Sequence, residues 1–437
     1  MTRLLASALA LTLAPSLRAD DWPQWMGPQR DNVWRETGLV DKFPAGGPKV
    51  VWRTPVASGY AGPAVVGGKV FLADYASPKP LPEDGNFNRK PTDGTESFLA
   101  FDAATGKELW KQSFPVKYAI SYPAGPRCTP LVAGSLVYFL GAEGHLLACD
   151  VNSGAIKWQV ELKDAYKTTS DLWGYAAHPL LDGDRLIVLA GGEGSHVVAL
   201  NKDTGKEIWR SQTSKGQGYA PPLLTDAGGV RQMIVAGPAA VVGLDPATGK
   251  RLWTTPYAAT SGSIIMTPVR VGDYLLVAGY DNKNLLLKLL ADKPGVEVVW
   301  KDKLRMALSP VNVQPIADGT TVYGLHQSGE LMAVAIPTGD RLWTTTAPLA
   351  AAEAPAPANG TAFVVRAGDH YILFNDLGEL ILCRLSPKGY EEIDRAKVIE
   401  PTGAAFGRKV VWSMPAFANK RAYIRNDKEL ICVELGK

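Results

Sequence analysis

The chain has 437 residues, with 46 Lys and Arg against 43 Asp and Glu, 46% hydrophobic and 20% charged residues. Its 44 Gly and 32 Pro, dispersed among apolar residues, exclude a disordered or collagenous chain and a fold of long helices, and they demand many tight turns. A formal charge of +3 without a Lys/Arg run excludes nucleic acid as the default partner.

In chain order, Arg3, the apolar stretch Leu4–Ala14 and the Ser16-Leu17-Arg18-Ala19 end before Asp20-Asp21 read as a secretory signal over residues 1–19. Its removal leaves 44 basic against 43 acidic residues. No later apolar run approaches the roughly 20 residues of a spanning helix, and no Cys near the cleavage point could accept a lipid. The expectation is a periplasmic or secreted protein. Residues 20–48 form an arm with Trp22, Trp25 and Trp34, too aromatic for a free linker and expected to pack across the fold.

Beyond the arm the sequence repeats. Leu99-Ala100-Phe101-Asp102…Thr105-Gly106-Lys107…Trp110 returns as Leu147-Ala148-Cys149-Asp150…Gly154…Trp158, as Val198-Ala199-Leu200-Asn201…Thr204-Gly205-Lys206…Trp209, and as Val242-Gly243-Leu244-Asp245…Thr248-Gly249-Lys250…Trp253. Trp300 and Trp343 end two weaker copies. Successive Trp are 48, 51, 44, 47 and 43 residues apart, the length of four short strands with their turns, so one repeat is one propeller blade. Within it, alternating apolar residues make strands and Asp-x-x-Thr-Gly-Lys makes a tight turn, with Gly supplying positive φ. The Trp packs between neighbouring sheets. Pro63, Pro130, Pro179, Pro222, Pro268, Pro315 and Pro415 mark the starts of inner strands, whose axial edge has no partner. Asp74–Glu96 reads as a surface loop inserted into the first blade.

Two divergent units fill the tail. One runs through Thr361–Arg366, His370–Phe374, Glu379–Leu385 and Glu391–Val398. The other has three strands, Val410–Phe417, Arg421–Arg425 and Glu429–Leu435. Its fourth is Val50–Arg53, which bears Trp52 and has no blade before it. The prediction is an all-β, eight-bladed propeller over residues 49–437, its ring closed by an N-terminal strand that removes an exposed edge.

These copies of Ala-x-Asp-x-x-Thr-Gly-Lys-x-x-Trp resemble the pyrroloquinoline-quinone (PQQ) repeat, shared by quinoprotein alcohol dehydrogenases and BamB-like outer-membrane assembly propellers. The arm Asp21-Trp22-Pro23-Gln24-Trp25…Gly27-Pro28…Arg30-Asp31 and the segment Gly407-Arg408-Lys409-Val410-Val411-Trp412-Ser413 look like a group of exported PQQ-like propellers. The dehydrogenase resemblance implies a vicinal Cys-Cys bridge over PQQ and Glu, Asn and Asp around calcium. No two Cys are adjacent here, and Asp102, Asp150 and Asp245 belong to turns, so no catalytic residue or metal ligand is assigned; PQQ with calcium is possible but unsupported by motif. The BamB pattern includes a lipid-acceptor Cys that is absent and lacks the aromatic arm.

Cys128, Cys149, Cys383 and Cys432 are scattered among apolar neighbours and read as small buried hydrophobes. His145, His178, His196, His326 and His370 show no metal-ligand spacing. His145 and His326 read as solvated loop residues. More informative are Gly59-Tyr60-Ala61, Gly174-Tyr175-Ala176 and Gly218-Tyr219-Ala220, each just upstream of an inner-strand proline. Outer-to-inner connections converge on one propeller face, so Tyr60, Tyr175 and Tyr219, with Arg127, Trp173, His178, Met266, Asn312 and Gln314, are the candidate lining of a shared mouth; the alternative is that each Tyr packs between blades. Three functions follow: a non-catalytic protein-binding scaffold of the cell envelope, favoured; a propeller binding a small polar ligand or glycan; and a PQQ-dependent oxidoreductase. The partner is an envelope protein or such a ligand, and the chain is expected to be monomeric.

Overall fold

The computed structural model describes residues 21–82, 87, 89–350 and 354–437, so the signal segment lies outside the described residues. Eight antiparallel sheets follow one another along the chain. Blade 1 comprises strands Ala64–Val66, Lys69–Ala76, Thr92–Asp102 and Glu108–Tyr118; blade 2 begins at Leu131, blade 3 at Leu180, blade 4 at Leu223, blade 5 at Val269, blade 6 at Ile316 and blade 7 at Ala362. Seven prolines lie one residue ahead of an inner strand, where a missing N–H costs the ladder nothing.

Blade 8 combines Ala416–Ala418, Arg421–Arg425 and Glu429–Glu434 with Val50–Pro55 from the other end of the propeller. Trp52 pairs with Cys432 and Thr54 with Leu430, so the ring closes by an antiparallel ladder as the three-stranded tail requires. Val410 is not part of the inner strand. It sits in a two-stranded ribbon, Gly403–Ala405 with Arg408–Val410, and Trp412 lies in the connection beyond it.

The Trp repeat is a docking device between blades. The Trp110, Trp158, Trp209, Trp300 and Trp343 indoles donate to Val151, Lys202, Pro246, Pro337 and Ser386 carbonyls of the following blade, at 3.2, 2.8, 3.3, 2.8 and 2.8 Å. Trp52 does the same to Ala103 at 3.0 Å across the closure. The turn glycine of the next blade provides the flat surface: Gly205 has φ +69°, and a Cβ there would lie 2.7 Å from the Trp158 ring. Its absence of a side chain thus meets two demands, left-handed backbone and close approach. Blade 5 replaces this turn by Leu290–Gly295, and Trp253 of blade 4 turns to the Gln232 side chain of its own sheet instead, at 2.6 Å. Between sheets the core is continuous, as where Tyr138, Leu146 and Trp158 meet Leu186 and Val198.

Two expectations change. Asp74–Glu96 is not wholly a surface loop: Asp74 pairs with Ser97 and Tyr75 with Glu96, the hairpin extends to Ala76 and Thr92, and Asp74 and Glu96 are buried. The apolar alternation that marks a strand is interrupted there by these acidic residues, which accept from the Ala57 N–H and from Tyr118 and the Ala142 N–H, respectively. Nor are the inner edges all unpartnered. The arm threads the axial channel: Trp22 bridges Val65 of blade 1, Val132 of blade 2 donates to the Pro23 carbonyl, and Val33–Trp34 pairs in parallel with Arg366 and Ala367 of blade 7. Arg30 reaches the Pro179 carbonyl of blade 3 at 2.9 Å.

Candidate functional site

The arm divides the axial space. On the face where outer strands lead into the next inner strand lies a cavity of about 220 Å³; on the other face a larger one of about 630 Å³ is walled mainly by the first hairpins and by Gln24, Met26 and Arg30 of the arm. The first is the mouth anticipated from the sequence. Blade junctions supply Tyr60, Tyr122, Arg127, Trp173, His178, Tyr219, Met266, Asn312, Gln314, Phe406 and Trp412 to its wall, and the arm supplies Trp25 and Asn32.

Eight of the nine candidate residues line it. Tyr175 does not. Its ring fills the slot left by the side-chain-free Gly144, and its hydroxyl donates to the Ala190 carbonyl at 3.2 Å, so this member of the Gly-Tyr-Ala series packs between blades. Tyr60 faces the Arg127 guanidinium, 5.0 Å from its ring centroid. Tyr219 accepts the Trp173 backbone N–H through its hydroxyl at 3.3 Å, with the two rings edge to face at 5.3 Å. His178 stacks on Trp25 at 4.5 Å and accepts the Thr129 N–H at Nδ1. Burial holds its imidazole well below the ordinary pKa, so it is neutral with the proton on Nε2. Gln314 uses its amide on the Thr267 backbone in both directions, 2.9 and 3.1 Å, and Asn312 accepts from Thr361, so these two brace the wall.

Arg127 is the wall's one charged group of fixed sign. Its guanidinium donates to the carbonyls of Gly125, Ser121 and Tyr122, and no Asp or Glu lines the mouth. Tyr122, Phe406, Trp412 and the arm residues escaped the sequence reading. Trp412 and Trp25 stand inside segments quoted for their family likeness, but only the ring closure and the threading of the arm bring them together.

Behind the mouth a second polar group of residues surrounds Glu96. Tyr118 donates to its Oε1, as does the Ala142 N–H at 3.1 Å, while His145 Nδ1 lies 3.7 Å from Oε2. Burial first, against the Tyr118 and Ala142 hydrogen bonds, pushes the Glu96 carboxyl up to about 7. His145 is thus not a solvated loop residue but sits between Glu96 and Glu161, and His326 is buried, accepting the Ser309 N–H at 2.9 Å with its pKa driven down to about 4 by burial. The four cysteines are buried free thiols; burial raises Cys149 and Cys432 to about 12.

A PQQ–calcium unit of the dehydrogenase kind does not fit this wall. The resemblance implies acidic ligands around that hard cation, which takes oxygen donors, and no Asp or Glu lines the mouth, while the Gln314 and Asn312 amides are engaged with the wall. Among the described residues no three His, Cys, Asp or Glu are grouped to hold a metal, and no helix is long and apolar enough to cross a membrane.

A family model described as outer membrane protein assembly factor BamB matches residues 36–172, 95–292 and 290–380. BamB of Burkholderia pseudomallei is 28% identical over 56% of this chain and 58% of its own length, and quinoprotein ethanol dehydrogenase of Pseudomonas putida 26% identical over 43% and 34%. The chain thus spans about three-fifths or less of these curated relatives. Among solved structures, BamB of Moraxella catarrhalis superposes with a TM-score of 0.53 at 18% identity over 87% of this chain and 97% of its own, and quinohemoprotein alcohol dehydrogenase of Comamonas testosteroni with 0.58 at 14% over 96% and 81%. Those identities speak for the fold alone. With eight blades, six of them docked to the next by a Trp, and more than half of the sequence matched, the chain belongs to the PQQ-repeat β-propeller family whose model is described as outer membrane protein assembly factor BamB.

Proposed function

We propose that the chain is a non-catalytic protein-binding propeller of the cell envelope, BamB-like in kind, which engages its partner at the mouth. The observation that supports this is the pair of exposed aromatic side chains on the mouth's rim: Phe87 is 61% and Phe406 45% exposed, and they touch Trp173 and Trp412 of the wall. Large apolar groups held at the edge of a concavity are the anchors of protein interfaces. The opposite face carries short Asx-type turns such as Asp150–Gly154, explained by folding alone.

The envelope assignment rests on the signal-like residues 1–19 and on the BamB relatives. Capture from an envelope fraction tests the docking face: Tyr219→Ala and Phe406→Ala should lose a partner that Lys206→Ala and Lys250→Ala retain. Loss confined to the turn-face variants would refute the placement. A second reading, a small polar ligand, is favoured by the aromatic-lined cavity itself. PQQ-dependent oxidation is the third, and its expected outcome is null: dye reduction requiring PQQ, calcium and an alcohol together would overturn the non-catalytic assignment.

A further inference from the structure

The wall of the mouth is an incomplete polar network. Tyr122 is nine-tenths buried and Asn32 nearly wholly so, yet the Tyr122 hydroxyl, the Asn32 Oδ1 and the Trp412 Nε1 have no hydrogen-bond partner in the protein. All three residues line the cavity. Buried polar atoms without partners are destabilising, so a folded chain that carries three in one wall has a reason to hold them there. Tyr122 is also held at φ +51°, and the rim residue Phe406 at +50°, a left-handed backbone that non-glycine residues adopt at a cost.

The residues that carry these donors are neighbours in the wall. Tyr122 and Trp412 rings are 5.6 Å apart, Tyr60 lies 6.4 Å from Trp412, and Arg127 sits over Tyr60. Arg127 donates its hydrogen bonds to neutral carbonyls, so no carboxylate of the wall pairs with its charge, and Glu143 and Glu96 behind the wall act on it only through space. Burial lowers its pKa, but a guanidinium stays charged in a protein. A cation, an indole N–H and a phenol O–H gathered without an acceptor suit an anion with two oxygens. Asn32 Oδ1 adds the opposite need, a ligand N–H or O–H. The rings of Trp25, Tyr60, Trp173 and Tyr219 suit an apolar or aromatic body.

We infer that the mouth is a carboxylate-recognition site for an N-acylated α-amino acid, the chemistry of a polypeptide C-terminus, with Arg127, Tyr122 and Trp412 on the carboxylate and Asn32 on the adjoining N–H. The inference rests on the mouth being the ligand face and names what that face reads. A free acyl amino acid shares this chemistry, and the length of the probe separates the two sources.

The test uses the whole chain and calorimetric titration with N-acetyl-L-phenylalanine, its C-terminal amide, and a pentapeptide ending in Phe with a free carboxylate. The acid should bind at least tenfold more tightly than the amide. Tyr122→Phe and Trp412→Phe, which delete one donor each and keep the ring volume or most of it, should each weaken the acid several-fold and the amide by less, and Lys206→Ala should change neither. Arg127→Gln should abolish the difference between acid and amide; should that variant fail to fold, the two donor deletions decide. A pentapeptide that binds more tightly than the acetylated amino acid assigns a polypeptide end, and one that binds less tightly assigns a free ligand. Equal binding of acid and amide, or no binding of either, overturns the inference. If neither binds while partner capture still depends on Tyr219 and Phe406, docking at the mouth stands without carboxylate recognition.

Discussion

Trp209 and Glu96 show how differently a buried residue can contribute. The Trp209 indole, 8% exposed, lies between two sheets, packs on Gly249 and donates to Pro246, so its value is apolar area plus one buried hydrogen bond. Trp209→Ala should cost about 3–5 kcal/mol in urea unfolding; a negligible change would show that the indole is not an anchor. Glu96 is a carboxyl whose neutral form the fold prefers. Its pKa rises on folding from 4.5 to about 7, so its favourable contribution is complete below about pH 4.5 and is lost as pH rises through 7. The shift corresponds to roughly 3 kcal/mol. His145 runs the other way, its pKa being lowered first by burial, and Glu143 and Tyr118 also surround the group. Comparing the protein with Glu96→Gln isolates the carboxyl, because Gln keeps an oxygen for Tyr118 and Ala142. Between pH 5 and 8 the unsubstituted chain should lose more stability than the variant, and parallel profiles would contradict a neutral buried Glu96.

At the scale of the element, the turn and the tryptophan are one unit spread over two blades. Gly205 and Gly183 both have positive φ, +69° and +60°, but only Gly205 faces a ring; Gly183 faces open space. Gly183→Ala should therefore cost about 1 kcal/mol, from backbone conformation alone. Gly205→Ala adds an overlap with Trp158 and should cost about 2–4 kcal/mol. Equal costs in urea unfolding would mean that Trp158 moves aside freely and that the turn glycine is there for conformation only. The Gly-Tyr-Ala series makes the same point from another side. Three copies of one tripeptide put two rings in the mouth and one between blades, because a neighbour of Tyr175, Gly144, leaves room for a ring.

For the whole molecule, closure and plugging are separate tasks of one N-terminal segment. Val50–Pro55 completes blade 8, while residues 21–34 fill the channel and hydrogen-bond to the inner strands of blades 1, 2 and 7 and to Pro179 just ahead of that of blade 3. Deleting residues 1–53 should abolish cooperative folding, since it opens the ring and exposes the edge of Glu429–Glu434. A chain starting at residue 36 keeps the closing strand and should still fold, with a lower melting temperature and with Trp25 and Asn32 missing from the mouth. An unchanged melting temperature for the shorter deletion product, residues 54–437, would refute closure by this strand.

The repeat was legible because blade folding is local: alternating apolar residues, an Asx turn and a Trp recur within each stretch of under about fifty residues, and ring closure follows from a tail one strand short. Eight of the nine candidate residues reach the mouth for the same reason, since equivalent repeat positions reach equivalent heights. Tertiary structure alone decided the rest. Tyr122, Phe406, Trp412, Trp25 and Asn32 meet only because blade 8 closes beside blade 1 and the arm enters the channel, contacts between residues that lie up to several hundred positions apart and that no periodicity announces. The acidic residues of the Glu96 hairpin imitate a solvated surface in the sequence. The burial of Glu96 is made tolerable by Tyr118, Ala142 and the side-chain-free Gly141, partners supplied by the fold and not by the neighbouring sequence.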